Sequence, residues 1–222
     1  MSHSNLGDHA VDLVAMFPEK FPNVRRFYFK PYTPQPGFEE RMGELSICQL
    51  FLEQSNVATI VQKMLGSPDV KETASSLEEV GADHFSSRYS SLRDECRQKD
   101  QVLALCSYCR DPDDNEMHIP MMDFRVRSGG DSGRKLEFLS EALRGLGQTD
   151  GVLLDSGKSY HYFGFHLLTQ CNWRKFMAQS LLLGSLVDVR YISHRLQAGT
   201  ATLRLTTSEH KTKMPQVVAH VG

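Results

Sequence analysis

Lys158, Ser159 and His161 bring an ammonium, a hydroxyl and an imidazole to the exit of a glycine turn, Asp155-Ser156-Gly157. In extended chain the side chains of Ser159 and His161, two residues apart, leave the same face. Such a trio forms a cradle for phosphate oxygens, because all three groups donate hydrogen bonds and the lysine adds charge. Two acids complete the set. Asp123 lies inside the apolar run from His118 to Val126 and Asp188 inside the run from Leu186 to Ile192. A carboxylate in an apolar strand is costly to desolvate without a partner, so both are candidate metal ligands. Asp155, at the turn itself, reads first as a turn-capping residue, with a third ligand position as the alternative.

The elements that must hold these groups follow from the spacing of apolar residues. Val152–Leu154 and Lys158–Phe163 flank the turn and predict a β-hairpin. Upstream, Val102–Tyr108 and His118–Val126 are two runs of strand length joined by the acidic turn 110–116, a second predicted hairpin. Residues 128–133 are a glycine-rich loop, and Leu136, Leu139, Ala142 and Leu143 give a helix over Arg134–Leu146. Leu167–Leu183 reads as a helix with Trp173 inward, Leu186–Ile192 and Thr200–Thr206 as strands, and the segment from Thr207 as a loose polar tail.

Toward the N-terminus, Ala10–Phe17 is a short helix closed by Pro18 and Pro22. Arg25–Lys30 is a strand of aromatic and basic residues, a pattern suited to stacking bases and holding phosphates but equally to a strand with one buried face. Residues 31–37 break regular structure. The spacing of Leu45, Cys48, Phe51, Leu52, Ile60 and Val61 predicts a helix over 38–65, 66–82 is a connector, and 83–100 is an exposed charged helix.

At 222 residues the chain suits one compact domain, divided into an N-terminal part (1–100), a motif-bearing core (101–207) and a flexible tail (208–222). Its 25 basic and 27 acidic residues exclude a polycation that coats nucleic acid by bulk charge, so any phosphate-binding surface must be local. No run approaches the roughly 20 apolar residues that span a bilayer, and no signal peptide is legible at the start. A cytoplasmic protein with no membrane partner is expected. The five cysteines fit a reducing compartment. Cys106 and Cys109 form a C-x-x-C, but no second pair follows at zinc-finger spacing, so ordinary strand cysteines are the default, with zinc (and Cys96 or His118 as further ligands) the alternative.

An acid in an apolar strand (Met121-Met122-Asp123-Phe124-Arg125), a Ser-x-His on a strand (Ser159-Tyr160-His161) and a second acid (Leu186-Val187-Asp188) occur in that order, followed by Arg195 and Arg204. This order resembles the catalytic core of the archaeo-eukaryotic primase superfamily, over roughly residues 100–207. The resemblance implies an α+β fold, a mixed or antiparallel sheet flanked by helices, with an RRM-like core. It implies a nucleotidyltransferase of the primase or polymerase kind that uses Mg²⁺ or Mn²⁺, a nucleoside triphosphate and a DNA or RNA template, in replication, repair, a mobile element or defence. Asp123, His161 and Asp188 take the catalytic roles, Asp123 and Asp188 hold metal, and Lys158, Ser159, His161, Arg195 and Arg204 grip the nucleotide. Where relatives carry a second acid two residues after the first, this chain has Arg125.

That departure keeps other readings open. One is a catalytically degenerate primase-fold protein that binds nucleotide or nucleic acid beside other subunits of a complex. In it, Arg125 pairs with Asp123 and removes the metal site. Another is an unrelated α+β interaction module. His166 and His194 read as satisfied histidines rather than ligands.

Overall fold

In the computed structural model the described residues are 7–33, 77–207, 209 and 212–222. The helix expected over 38–65 and most of the 66–82 connector lie outside them. The described residues form an α+β fold in which two antiparallel sheets are flanked by helices, as the sequence predicts.

The first sheet contains β1 (Arg26–Tyr32), β2 (Glu78–Gly81), β3 (Val102–Arg110), β4 (Glu116–His118), β8 (Leu168–Thr169) and β9 (Thr202–Arg204). Its strand order is β2-β1-β3-β4-β8, and β9 also pairs with β3. The second contains β5 (Met121–Asp123), β6 (Gly151–Asp155), β7 (Tyr160–Gly164) and β10 (Gln216–Val221), in the order β10-β6-β7-β5. The helices are α1 (Ala10–Ala15), α2 (Phe17–Lys20), α3 (Phe85–Gln98), α4 (Ser132–Gly145), α5 (Gln170–Ser180) and α6 (Val189–Ala198).

Alternation explains β1: Phe27 and Phe29 are buried while Arg26, Tyr28 and Lys30 stay half-exposed. On the buried side Phe85 and Tyr89 of α3 meet them, with ring centroids of Phe27 and Phe85 5.0 Å apart and of Phe29 and Tyr89 5.3 Å apart. The charged helix of 83–100 is therefore amphipathic, with Leu92 and Cys96 also buried. Phe17 lies between the sheets, 6.2 Å from Phe27 and 6.4 Å from Phe163, so one hydrophobic cluster runs through both.

Four elements depart from expectation. Within the 66–82 connector, Glu78–Gly81 forms β2 and pairs with β1. The run His118–Val126 is not one strand. Pro120 has no N–H to give to a ladder, and the chain changes sheet there: β4 pairs with β3, and β5 with β7. The run Leu186–Ile192 is not a strand either. Only Val187 bridges to Phe124, after which α6 begins, because the Asp188 Oδ1 accepts the amides of Arg190 and Tyr191 as an N-cap. Nor is the C-terminus loose. Gln216–Val221 pairs with β6 along its length, burying Val217 and Val221. Its apolar alternation follows a polar segment that masks it in the sequence.

The C-x-x-C is part of β3. Both cysteines are fully buried, and the Cys109 thiol donates to the Met117 carbonyl at 3.4 Å. Burial pushes the Cys109 thiol up to about 12, which makes it an unreactive, neutral thiol. Among the described residues no group of three His, Cys, Asp or Glu side chains could hold a metal ion.

Candidate functional site

The hairpin β6–β7 is the scaffold of the site. Its register pairs Leu154 with His161 and Asp155 with Tyr160. At its turn Asp155 Oδ1 accepts the Gly157 amide at 2.7 Å, and Gly157 has φ +103°, a conformation that favours glycine. Asp155 Oδ2 takes the Lys213 ammonium at 2.7 Å. Burial raises the Asp155 carboxyl, but Lys213 and the Gly157 amide outweigh it and hold the group below its ordinary value. Its role is the turn-capping one.

On the neighbouring strand β5, Asp123 stands opposite His161. Asp123 Oδ1 accepts the Ser159 hydroxyl at 3.2 Å and lies 3.7 Å from His161 Nε2. On the other side of β5, the Asp188 amide donates to the Asp123 carbonyl at 3.1 Å and the Arg125 amide to the Leu186 carbonyl at 2.8 Å, around the Phe124–Val187 bridge. That antiparallel register sets Asp188 opposite Asp123. His161, Asp123 and Asp188 thus form a row across three neighbouring chain segments.

Asp123 and His161 of this row border a cavity of about 330 Å³, within the range of small-molecule sites. Asp123, Lys158, Ser159, His161, Arg195 and Arg204 all line it, so six of the seven residues expected at the site meet in one place. Asp188 stands beside them, with its Oδ1 given to the α6 amides. The wall is completed by Lys30 and Tyr32, two apart on β1, Ser156 of the turn, Tyr191 of α6, and Thr202 and Leu203 of β9. The alternating basic and aromatic residues of β1 were the available signal for the first two.

The cations differ in what they hold. Arg195, buried on α6, donates to Thr202 Oγ1 at 2.8 Å. The Arg204 guanidinium donates to three carbonyls: Ser156 at 2.5 Å, Lys213 at 2.7 Å and Thr206 at 3.0 Å. Burial lowers its pKa, against an opposing pull from Tyr32 and Asp123. Arg204 thereby ties the hairpin turn to the segment after β9, and the Lys213 side chain packs over Gly157. Lys158 stays exposed at the rim.

Lys30, Lys158, Arg195 and Arg204 face one cavity carboxylate, Asp123. A site with that balance attracts polyanions. Asp123 in the cavity and Asp188 beside it could at most supply two carboxylates to one divalent ion, the rest of whose shell would come from water and substrate oxygens. A two-ion centre does not fit, since among the described residues Asp123 is the one carboxylate that lines the cavity.

A family model described as archaeo-eukaryotic primase 1D-like matches residues 81–216, more than half of the chain, and covers every element of the site except β1. No curated protein and no solved structure matches the chain significantly.

Proposed function

The chain belongs to the archaeo-eukaryotic primase 1D-like family, and from that footing we propose that its cavity binds a nucleoside triphosphate and acts with nucleic acid as a primase- or polymerase-like nucleotidyltransferase site. The observation that carries this reading is the row His161–Asp123–Asp188 set against the Lys158-Ser159 turn in a cavity dominated by cations.

In this reading Lys158 holds the terminal phosphates, joined by the Ser159 hydroxyl when it turns from Asp123, and Arg195 draws the polyphosphate toward α6. His161 orients the phosphate nearest the acids, its own position set by Asp123. Asp123 and Asp188 would hold one Mg²⁺ or Mn²⁺, which when bound offsets charge on the phosphate oxygens. Arg204 and the Asp155–Lys213 pair keep the turn in place. Burial of Arg195 and Arg204 means that the charge is organised before substrate arrives.

A second reading is favoured by Arg125: a site that binds nucleotide or nucleic acid without transfer, as one part of a complex. One experiment tests both. Thermal unfolding with a nucleoside triphosphate and Mg²⁺ or Mn²⁺ is expected to shift upward, through linkage of binding to folding. Template-dependent extension of a primer, lost in Asp123→Ala, supports transfer. A thermal shift without any product supports binding alone, and no shift with either metal removes both.

A further inference from the structure

The Asp123 strand does not end at the cavity; it leads into residues 124–135, FRVRSGGDSGRK, which hold four cations and one carboxylate. Across the chain basic and acidic residues nearly balance, 25 to 27, so this excess is local. Arg125, Arg127 and Arg134 are exposed. The one carboxylate, Asp131, is engaged as the N-cap of α4, where it accepts the Arg134 amide.

The segment is fastened to the phosphate turn. The Ser128 amide donates to the Lys158 carbonyl at 3.1 Å and its hydroxyl to the Gly157 carbonyl at 2.9 Å. Lys135 reaches back to the carbonyls of Arg127 at 3.2 Å and Gly129 at 2.6 Å, which closes the loop upon itself. At the other end the Arg125 amide is held by Leu186. Arg125, Arg127, Lys135 and Lys158 are thus carried on mutually bonded backbone that starts at Asp123 in the cavity. Gly129 and Gly130 present no side chain between them, so a ligand backbone has close access there.

We propose that residues 125–135, with Lys158, form a track for the phosphate backbone of single-stranded nucleic acid leading out of the cavity. The proposal rests on the polyanion-binding reading of that cavity. It gives Arg125 a role: at the position where a second acid would hold metal, a guanidinium instead meets a backbone phosphate, for which its fork of donors is suited. A chain of phosphates spaced along a strand matches cations spaced along a loop, whereas a free nucleotide fills only the cavity.

The test uses the full chain, a labelled single-stranded DNA oligonucleotide and fluorescence anisotropy across a salt series. Arg125→Gln/Arg127→Gln is expected to weaken oligonucleotide binding by about tenfold or more and to flatten the salt dependence by about 1.4 in slope, two lost contacts at about 0.7 each. The upward thermal shift given by a nucleoside triphosphate is expected to persist in that variant, since neither arginine lines the cavity. Unchanged oligonucleotide affinity and slope in the double variant would overturn the track while leaving the cavity reading intact. Loss of the triphosphate shift in the wild-type protein is the separate failure of the cavity reading. Equal competition by polyglutamate of the same charge would also overturn the proposal, by showing a surface for any acidic polymer.

Discussion

Asp188 follows the Phe124–Val187 bridge and donates its amide to the Asp123 carbonyl at 3.1 Å, yet its own Oδ1 accepts the amides of Arg190 and Tyr191. One carboxylate therefore serves two masters: it starts α6, which carries Tyr191 and Arg195 into the cavity, and it stands next to the acid proposed to hold an ion.

Those roles separate by substitution. Asp188→Ala removes the cap and is expected to cost about 0.5–2 kcal/mol, whereas Asp188→Ser keeps a capping oxygen and most of the stability. Both remove a carboxylate, so both should abolish the part of the triphosphate thermal shift that depends on Mg²⁺. Urea unfolding measures the first effect and thermal shift with and without metal the second. A metal-dependent shift that survives in the serine variant would exclude Asp188 as a ligand.

Arg204 is expected to act mainly through the turn. Its guanidinium serves three backbone carbonyls and is 8% exposed. Arg204→Met leaves those acceptors without a donor, and hydrogen bonds from a charged group are worth on the order of 1.5–3 kcal/mol each in context. A fall in unfolding free energy of at least that size, with only partial recovery in Arg204→Lys because one ammonium cannot reach three divergent carbonyls, is the expected result in urea.

The parts legible in the sequence were those set by local pattern. The hairpin around Asp155-Ser156-Gly157 is fixed by apolar runs on either side of a turn, and β1 by alternation of Phe27 and Phe29 with polar neighbours. What misled was context. Leu186–Ile192 has the β-branched residues of a strand, but a capping aspartate followed by Ile192 and Leu196 facing the body makes it helical. Gln216–Val221 gains its strand from β6, a partner some sixty residues earlier that no local pattern reveals. The gathering of Asp123, Lys158, Ser159, His161, Arg195 and Arg204 was reachable only through motif order, because those residues come from four separate segments.

Gly151 tests the packing beneath the site. It pairs with Gly164, and a Cβ there would come 2.4 Å from the Phe163 carbonyl oxygen and 2.6 Å from the Tyr162 ring. The first of these is backbone and cannot swing aside. Gly151→Ala is expected to destabilise by about 1–3 kcal/mol, the usual cost of overpacking. The conservative comparison is Gly145→Ala, where an added Cβ meets nothing within 4 Å and the helix tolerates it. Equal denaturation midpoints for the two variants would show that the β6–β7 hairpin yields more readily than its contacts indicate.

A last expectation concerns acid. His118 is fully buried, its ring stacked 4.7 Å from Trp173 at 18°, with Nδ1 3.1 Å from the Ser107 hydroxyl and Nε2 3.3 Å from Glu116. Burial lowers its pKa below 6.5; Glu116 and Gln170 pull upward, and Arg174 adds to the lowering. His166 is lowered too, by burial against the opposing Asp150. In the window just below 6.5 the unfolded chain therefore binds more protons than the folded one, so stability is whole above that value and falls as pH drops through it. Trp173 is the chain's one tryptophan, and its fluorescence reports both unfolding and the charge on the adjacent imidazole. Urea midpoints followed by that signal should be lower at about pH 5.5 than at about pH 7.5, and His118→Asn, which cannot take the proton, should narrow the difference. A midpoint that holds or rises on acidification, in both proteins, would mean that His118 charges without cost and that the Ser107–His118–Glu116 contacts tolerate the imidazolium.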